Sequence, residues 1–258
     1  MSRTSRTPRL AAPSRAAALC AAALLLLQAG ASAGASRTGA FAPADPGVRA
    51  AAMGGAFTAL GGEPSALYWN PAALHYQTGR SVEASYADLY GLGLARRTSL
   101  TFGTKAVYDV PRFVRDRVEV RRDTASGPGY AFGVQSLFVD VDGGGYSEIA
   151  VGGGAAWSYG DRLAAGVSLR GLFVSSDFED VSAIGYDLGL GIGWQYSSRE
   201  RIALAVPHLM SRLFWRFDST ERLPLGVAAG WSRRLGAHAT VSADAELREG
   251  EDSPYRLA

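Results

Sequence analysis

The segment IGYDLGLGIGWQY, residues 184–196, decides how the whole chain is read. Its even positions, Ile184, Tyr186, Leu188, Leu190, Ile192, Trp194 and Tyr196, are all apolar or aromatic. Its odd positions, Gly185, Asp187, Gly189, Gly191, Gly193 and Gln195, are all small or polar. Successive side chains of a strand leave opposite faces, so period-two alternation over this length predicts a strand with one apolar face and one small, wet face. A tilted strand of about 9 to 11 residues is long enough to cross an outer membrane.

Working outward, the same alternation returns at residues 98–108, 130–140, 146–159, 163–174, 223–233 and 239–247, and less regularly at 81–90 and 202–217. These make nine predicted strands, with a tenth beginning near Tyr255. Trp157, Trp194 and Trp231 recur every 37 residues, one hairpin apart, each on the apolar parity of its strand and each ahead of a polar turn. Tyr159 and Tyr196 share those faces, and Tyr108 holds a comparable place earlier. Amphipathic rings recurring at one rim and facing outward are what an interfacial girdle requires, whereas a soluble sandwich has no reason to place them so. The connections opposite the tryptophans, VDVDGGGYSE, SSDFEDVSA and SRLFWRFDSTERLP, read as longer and more acidic. That asymmetry points the tryptophan rim toward the periplasm. The charged run at 109–127 falls on the tryptophan side and reads as a solvated insertion or a docking loop.

Residues 1–33 have the layout of a secretory signal peptide: Arg3, Arg6, Arg9 and Arg15, an apolar run at 16–27 too short for a mature span, then Ala31-Ser32-Ala33. The formal net charge of +2 includes those four arginines and no leader acids, so the mature chain is near −2. A basic partner surface, and with it nucleic-acid binding, loses its support. The only cysteine, Cys20, lies in the leader, so an exported mature chain has no disulfide framework.

Residues 34–78 break the alternation. GVRAAAMGGAFTALGGEPSALYWNPAAL, at 47–74, is rich in glycine, alanine and aromatic residues and reads as a plug with short helical pieces at most. Gly54-Gly55 and Gly61-Gly62 mark points of turning or close approach. Pro64 suits a first helical turn, and Pro71 drives Asn70 out of the helical region. The run from Met53 to Ala56, and that from Pro64 to Leu74 with Asn70, Pro71 and Ala72 at its heart, resemble the N-terminal signature of the PorV/PorQ branch of the FadL-type outer-membrane barrel superfamily. The resemblance implies a hatch carrying Asn-Pro-Ala folded into the lumen of a fourteen-stranded barrel. It implies either a part in type IX-like protein secretion, with secretion components or cargo as partners, or uptake of a long-chain fatty acid or other hydrophobic compound.

The fold expected is therefore all-β: an antiparallel up-and-down transmembrane barrel, incomplete at 9–10 of 14 strands, over residues 79–258, with an N-terminal lumen plug. The C-terminus is expected to be a truncation, since the chain stops without a final aromatic strand. The location expected is the outer membrane, in contact with its lipid.

Little in the sequence points to chemistry. Gly189-Leu190-Gly191-Ile192-Gly193 imitates a dinucleotide loop but no helix follows, and Asp140-Val141-Asp142-Gly143-Gly144 lacks the ligands of a calcium loop. His75, His208 and His238 assemble no nucleophile, base or metal set, with His208 sharing the outward parity of Ile202, Leu204 and Val206. No enzyme, cofactor or metal is expected. The polar residues with apparent purpose face the lumen. Arg170 and Asp187 fall opposite each other if their hairpin is centred between Phe178 and Glu179, which predicts a cross-strand ion pair. Asp244 and Glu246 add lumen acids, and these groups are expected to hold the plug through Asn70 and the backbone near it.

Overall fold

The computed structural model describes residues 40–41, 46–106, 108–114, 117–123, 127–141, 144–160, 162–177, 181–236, 239–249 and 255–257. The leader at 1–33, with Cys20, and His238 lie outside them.

The first described elements are short. Helix α1 (Val48–Ala52) is followed by a glycine turn in which Gly54 and Gly55 take φ 67° and 88°. Helix α2 (Ala66–Trp69) is a single turn, and a 3-10 helix (Pro71–Tyr76) follows it directly. Asn70 joins the two. Its extended backbone ends α2, while its side-chain oxygen accepts from Ala72 N at 3.0 Å and caps the 3-10 helix. Pro71 thus ends one helical piece and opens the next, where its missing N–H is an orphan in any case.

The strands then run in order: β1 (Ser81–Asp88), β2 (Ala95–Lys105), β3 (Tyr108–Val114), β4 (Arg117–Asp123), β5 (Gly129–Val141), β6 (Gly144–Tyr159) and β7 (Leu163–Ser176). They continue with β8 (Ser182–Trp194), β9 (Glu200–Trp215), β10 (Thr220–Glu221), β11 (Gly226–Leu235), β12 (Ala239–Arg248) and β13 (Tyr255–Leu257). The main sheet is antiparallel and up-and-down, in the order β1-β2-β5-β6-β7-β8-β9-β11-β12-β13, with β10 paired to β9. All nine strands expected from alternation are there, with the tenth near Tyr255. Among the described residues no ladder joins β1 to the far end, and the described strands run as an open path.

Three expectations need correction. The run at 109–127, read as a solvated insertion or a docking loop, is largely strand, and Tyr108 does not close the strand before it: β2 ends at Lys105 and Tyr108 opens β3. Ala106 N donates to Pro128 O at 2.8 Å and closes the main sheet there, while β3 and β4 form a separate two-stranded hairpin. Much of what read as long connections opposite the tryptophans is strand: β5 reaches Val141 and β6 resumes at Gly144, the latter 16 residues long. Strands of that length exceed an apolar band, so polar and acidic residues extend the ladder instead of leaving it, and the loop-length argument for sidedness weakens accordingly. Trp231 does not close its strand, because β11 runs on to Leu235. It still lies level with Trp194, since both are registered to Ile202.

The two faces of the sheet differ as alternation requires. β8 alternates exposed Ile184, Tyr186, Leu190, Ile192 and Trp194 with buried Ala183, Asp187, Gly189, Gly191 and Gly193. The outward face carries large apolar side chains from β1 to β12, among them Val82, Phe102, Phe132, Leu169, Ile202 and Leu247. The buried core lies on the other face, where Ala66, Leu67, Tyr68, Ala73 and Leu74 of the N-terminal segment pack against Ala131 and Ala156 of the sheet. The segment at 46–77 therefore sits against the inward face.

Candidate functional site

The plug is seated by two kinds of contact. Along β5 to β8 the contact is steric. A methyl group built on Gly166 would overlap the Pro71 carbonyl carbon and Ala72 N, and one on Gly191 would overlap the Asn70 side-chain oxygen. On Gly133 it would stand 2.6 Å from the Tyr68 hydroxyl, and on Gly154 2.7 Å from Leu67 Cδ1. The inward glycines of the alternating strands are thus the floor on which Asn70-Pro71-Ala72 rests. Any Cβ there would have to displace it.

Along β11 and β12 the contact is by hydrogen bonds to the plug's backbone. Asp244 Oδ2 accepts from Thr58 N at 2.7 Å, Ser232 Oγ donates to Ala59 O at 3.2 Å, and Ser242 Oγ donates to Ala56 O at 2.8 Å. Thr58 is buried and its neighbours make no helix, so its N–H and the two carbonyls require partners from outside. Lys105 Nζ donates to His75 O at 2.6 Å, and Glu83 accepts from Ser65 N at 3.2 Å, at the other end of the plug.

The wall groups reach the backbone of the plug, at residues 56–59, and not the Asn70 side chain. That side chain works within the plug, donating to Thr58 O at 2.8 Å and accepting from Ala72 N. It clasps the chain between residues 58 and 72, and it touches the wall only as bulk against Gly191. Of the wall acids, Asp244 holds Thr58, the partner of Asn70, while Glu246 accepts from Arg248 Nε at 2.6 Å. Gly54 and Gly55 form the turn after α1, and Gly55 borders a cleft together with Asp244.

Arg170 and Asp187 are registered directly opposite each other on β7 and β8. Arg170 Nε donates to Asp187 Oδ2 at 2.8 Å, and Arg170 Nη2 also bonds that oxygen. Asp187 is fully buried. Its other oxygen pairs with His208 Nδ1 at 2.9 Å, and the Arg170 guanidinium lies 5.7 Å from the Tyr68 ring centre. Burial pushes the Tyr68 phenol up to about 12, against the pull of Arg170.

His208 is the residue that strand parity misplaced. The register between β8 and β9 runs Leu188 to Met210, then Leu190 to Val206, so β9 carries extra residues opposite Gly189. His208 takes φ 58° in this bulge and turns inward to Asp187 instead of outward with Ile202 and Leu204. The signal in the sequence was Pro207: proline in the middle of a sheet removes a ladder N–H and is found at bulges. Two shallow clefts flank this point and share His208. One is bordered by Tyr68, Trp69, Asp244 and Arg248, the other by Arg97, Gln135, Glu148 and Arg170.

On the outer face, Trp157 and Trp194 are half exposed. Trp231 donates from Nε1 to the Tyr196 hydroxyl at 3.2 Å, and Tyr196 stacks at a tilt on Trp194 with centroids 5.8 Å apart. The three rings and two tyrosines thus cluster at one end of the outward face, while Tyr86, Tyr90, Phe138, Phe173 and Phe214 are exposed toward the other. Among the described residues no helix is long and apolar enough to cross a membrane, and no cluster of three metal-ligating side chains occurs. Comparison with family models and with curated proteins returned no match.

Proposed function

We propose that the protein is a non-enzymatic outer-membrane β-barrel protein of PorV/PorQ type, whose N-terminal hatch blocks the lumen and which serves protein secretion or cell-envelope transport. The observation that carries this reading is the division of labour between the two faces of one sheet. The outward face is apolar with aromatic rings at its ends, as lipid contact requires, and the inward face is stripped to glycine, alanine and serine where an ordered segment occupies it. Lipid, not water, accounts for so continuous an apolar surface. The Asn-Pro-Ala segment that carries the family resemblance is also the segment in closest contact with the wall. On this reading the described strands belong to a barrel, with the tryptophan end toward the periplasm.

A second reading, FadL-type uptake of a long-chain fatty acid or similar hydrophobic compound, is favoured by the bulge at Pro207 and His208. It interrupts the ladder of the wall beside both clefts. Deleting the gene, then measuring uptake of labelled long-chain fatty acid beside a profile of secreted proteins, separates the two. Altered secretion with normal uptake is the result expected. Lost uptake with normal secretion favours the second reading, and outer-membrane fractions lacking the protein would overturn both.

A further inference from the structure

The turn joining β1 to β2, LYGLGL at 89–94, combines two properties that do not belong together in water. It carries no charge, and its large side chains stand free: Tyr90 is 73% exposed, Leu92 72% and Leu94 48%. Yet it is tightly organised. The Asp88 carboxylate accepts from Gly91 N at 3.0 Å and Gly93 N at 2.8 Å, with a longer bond from Tyr90 N at 3.4 Å, and Leu89 N donates to Ala95 O at 2.9 Å. Gly91 and Gly93 supply the left-handed backbone, φ 67° and 71°, that wraps the turn around the carboxylate.

In water the backbone N–H groups of a surface turn need no protein partner and exposed leucines gain nothing. At the acyl boundary of a bilayer both demands reverse: N–H groups that enter the hydrocarbon must be satisfied within the chain, and apolar side chains gain by leaving water. The apolar outer face continues into this turn through Val82 and Tyr86 of β1 and Leu100 and Phe102 of β2. At its base Asp88 and Arg96 are registered opposite each other, with Arg96 exposed. We propose that residues 89–94 form a preorganised lipid-anchoring tip that inserts at the bilayer interface, its Asp88 carboxylate consumed in ordering the loop and Arg96 left for a lipid phosphate.

This inference rests on the membrane reading above, and the test keeps the two apart. In a C20S background, single cysteines at L92C on the tip, L169C on the outer face and R199C in the β8–β9 turn carry an NBD fluorophore. The full chain is reconstituted into phosphatidylcholine vesicles with and without doxyl-labelled lipid. The expected result is a blue-shifted L92C emission quenched to within about two-fold of L169C, with R199C unquenched, as for an apolar segment buried at the interface. Adding D88A to L92C should remove about half of that quenching or more, because the loop loses its order and exposes N–H groups. Quenched L169C beside unquenched L92C overturns the tip while leaving the membrane reading intact. A blue-shifted but unquenched L92C does so too, in favour of a protein partner or second copy. If neither position is quenched, the membrane reading itself fails.

Discussion

The two walls that hold the plug work by opposite means. Along β5 to β8 the sheet offers chiefly proximity: Gly166 and Gly191 allow the backbone at Asn70-Pro71-Ala72 to approach where any side chain would collide, beside the one directed contact of the Arg170 guanidinium over the Tyr68 ring. Along β11 and β12 it offers directed groups, Ser232, Asp244 and Ser242, each satisfying one backbone atom of residues 56–59. The first wall cannot accept additions; the second cannot accept deletions and, at Gly230 on β11, where a methyl would meet Ala59 N and Thr58 Cβ, no addition either. The plug is positioned by shape on one side and by hydrogen-bond bookkeeping on the other.

The largest effect should come from where the steric wall meets the bulge. D187A leaves the Arg170 guanidinium without its buried partner and frees His208, and should cost about 3–5 kcal/mol in urea unfolding from detergent micelles. Replacing both partners by apolar residues, R170M with D187L, should recover much of that loss. Recovery would show that the pair braces the wall; equal loss would show that the charge itself is needed at the plug. Next comes the steric wall proper. G166A forces a methyl against Pro71 and Ala72 and should cost about 2–3 kcal/mol, with protease cleavage appearing in 47–74 as the plug shifts.

The hydrogen-bonded wall should respond more mildly. D244N loses a charged acceptor for the buried Thr58 N–H, at about 1–3 kcal/mol, and S242A a neutral donor, at about 1 kcal/mol. A loss for S242A as large as that for G166A would erase the distinction between the walls. The most gradual effect is on pH. Burial, helped by the nearby Lys105 ammonium, lowers His75 to about 4 from its ordinary 6.5. The unfolded chain therefore binds the proton more readily than the folded one. Stability present above about pH 6.5 should fall as pH drops toward 4, with a slope of at most about one proton that H75N flattens.

The difference between the walls also explains what the sequence could and could not say. Steric contact selects against side chains at every second position, so Gly185, Gly189, Gly191 and Gly193 announced an inward face, and the strands of the main sheet were legible to within about three residues at their ends. Arg170 and Asp187 could be paired by counting back from a hairpin centre, because an unbroken antiparallel ladder makes register arithmetic. Serine and aspartate on the other wall are ordinary residues for a wet strand face, and nothing local to Ser232 or Asp244 tells which distant backbone atom each meets. Asn70 was legible as important but not as a clasp within the plug, since its partner Thr58 is set by the fold of the plug itself. His208 was hidden because parity fails at a bulge, and Pro207 alone carried the warning.

The central claim is that residues 56–74 are an ordered plug fixed against the inward face of the sheet, and amide hydrogen exchange on the full chain in micelles tests it most directly. The account predicts that the Thr58 and Ala72 amides exchange as slowly as those of β7 and β8, and that D244N selectively releases Thr58. Exchange across 56–74 at free-chain rates while β7 and β8 stay protected would contradict it, leaving a sheet with an empty inward face and no plug.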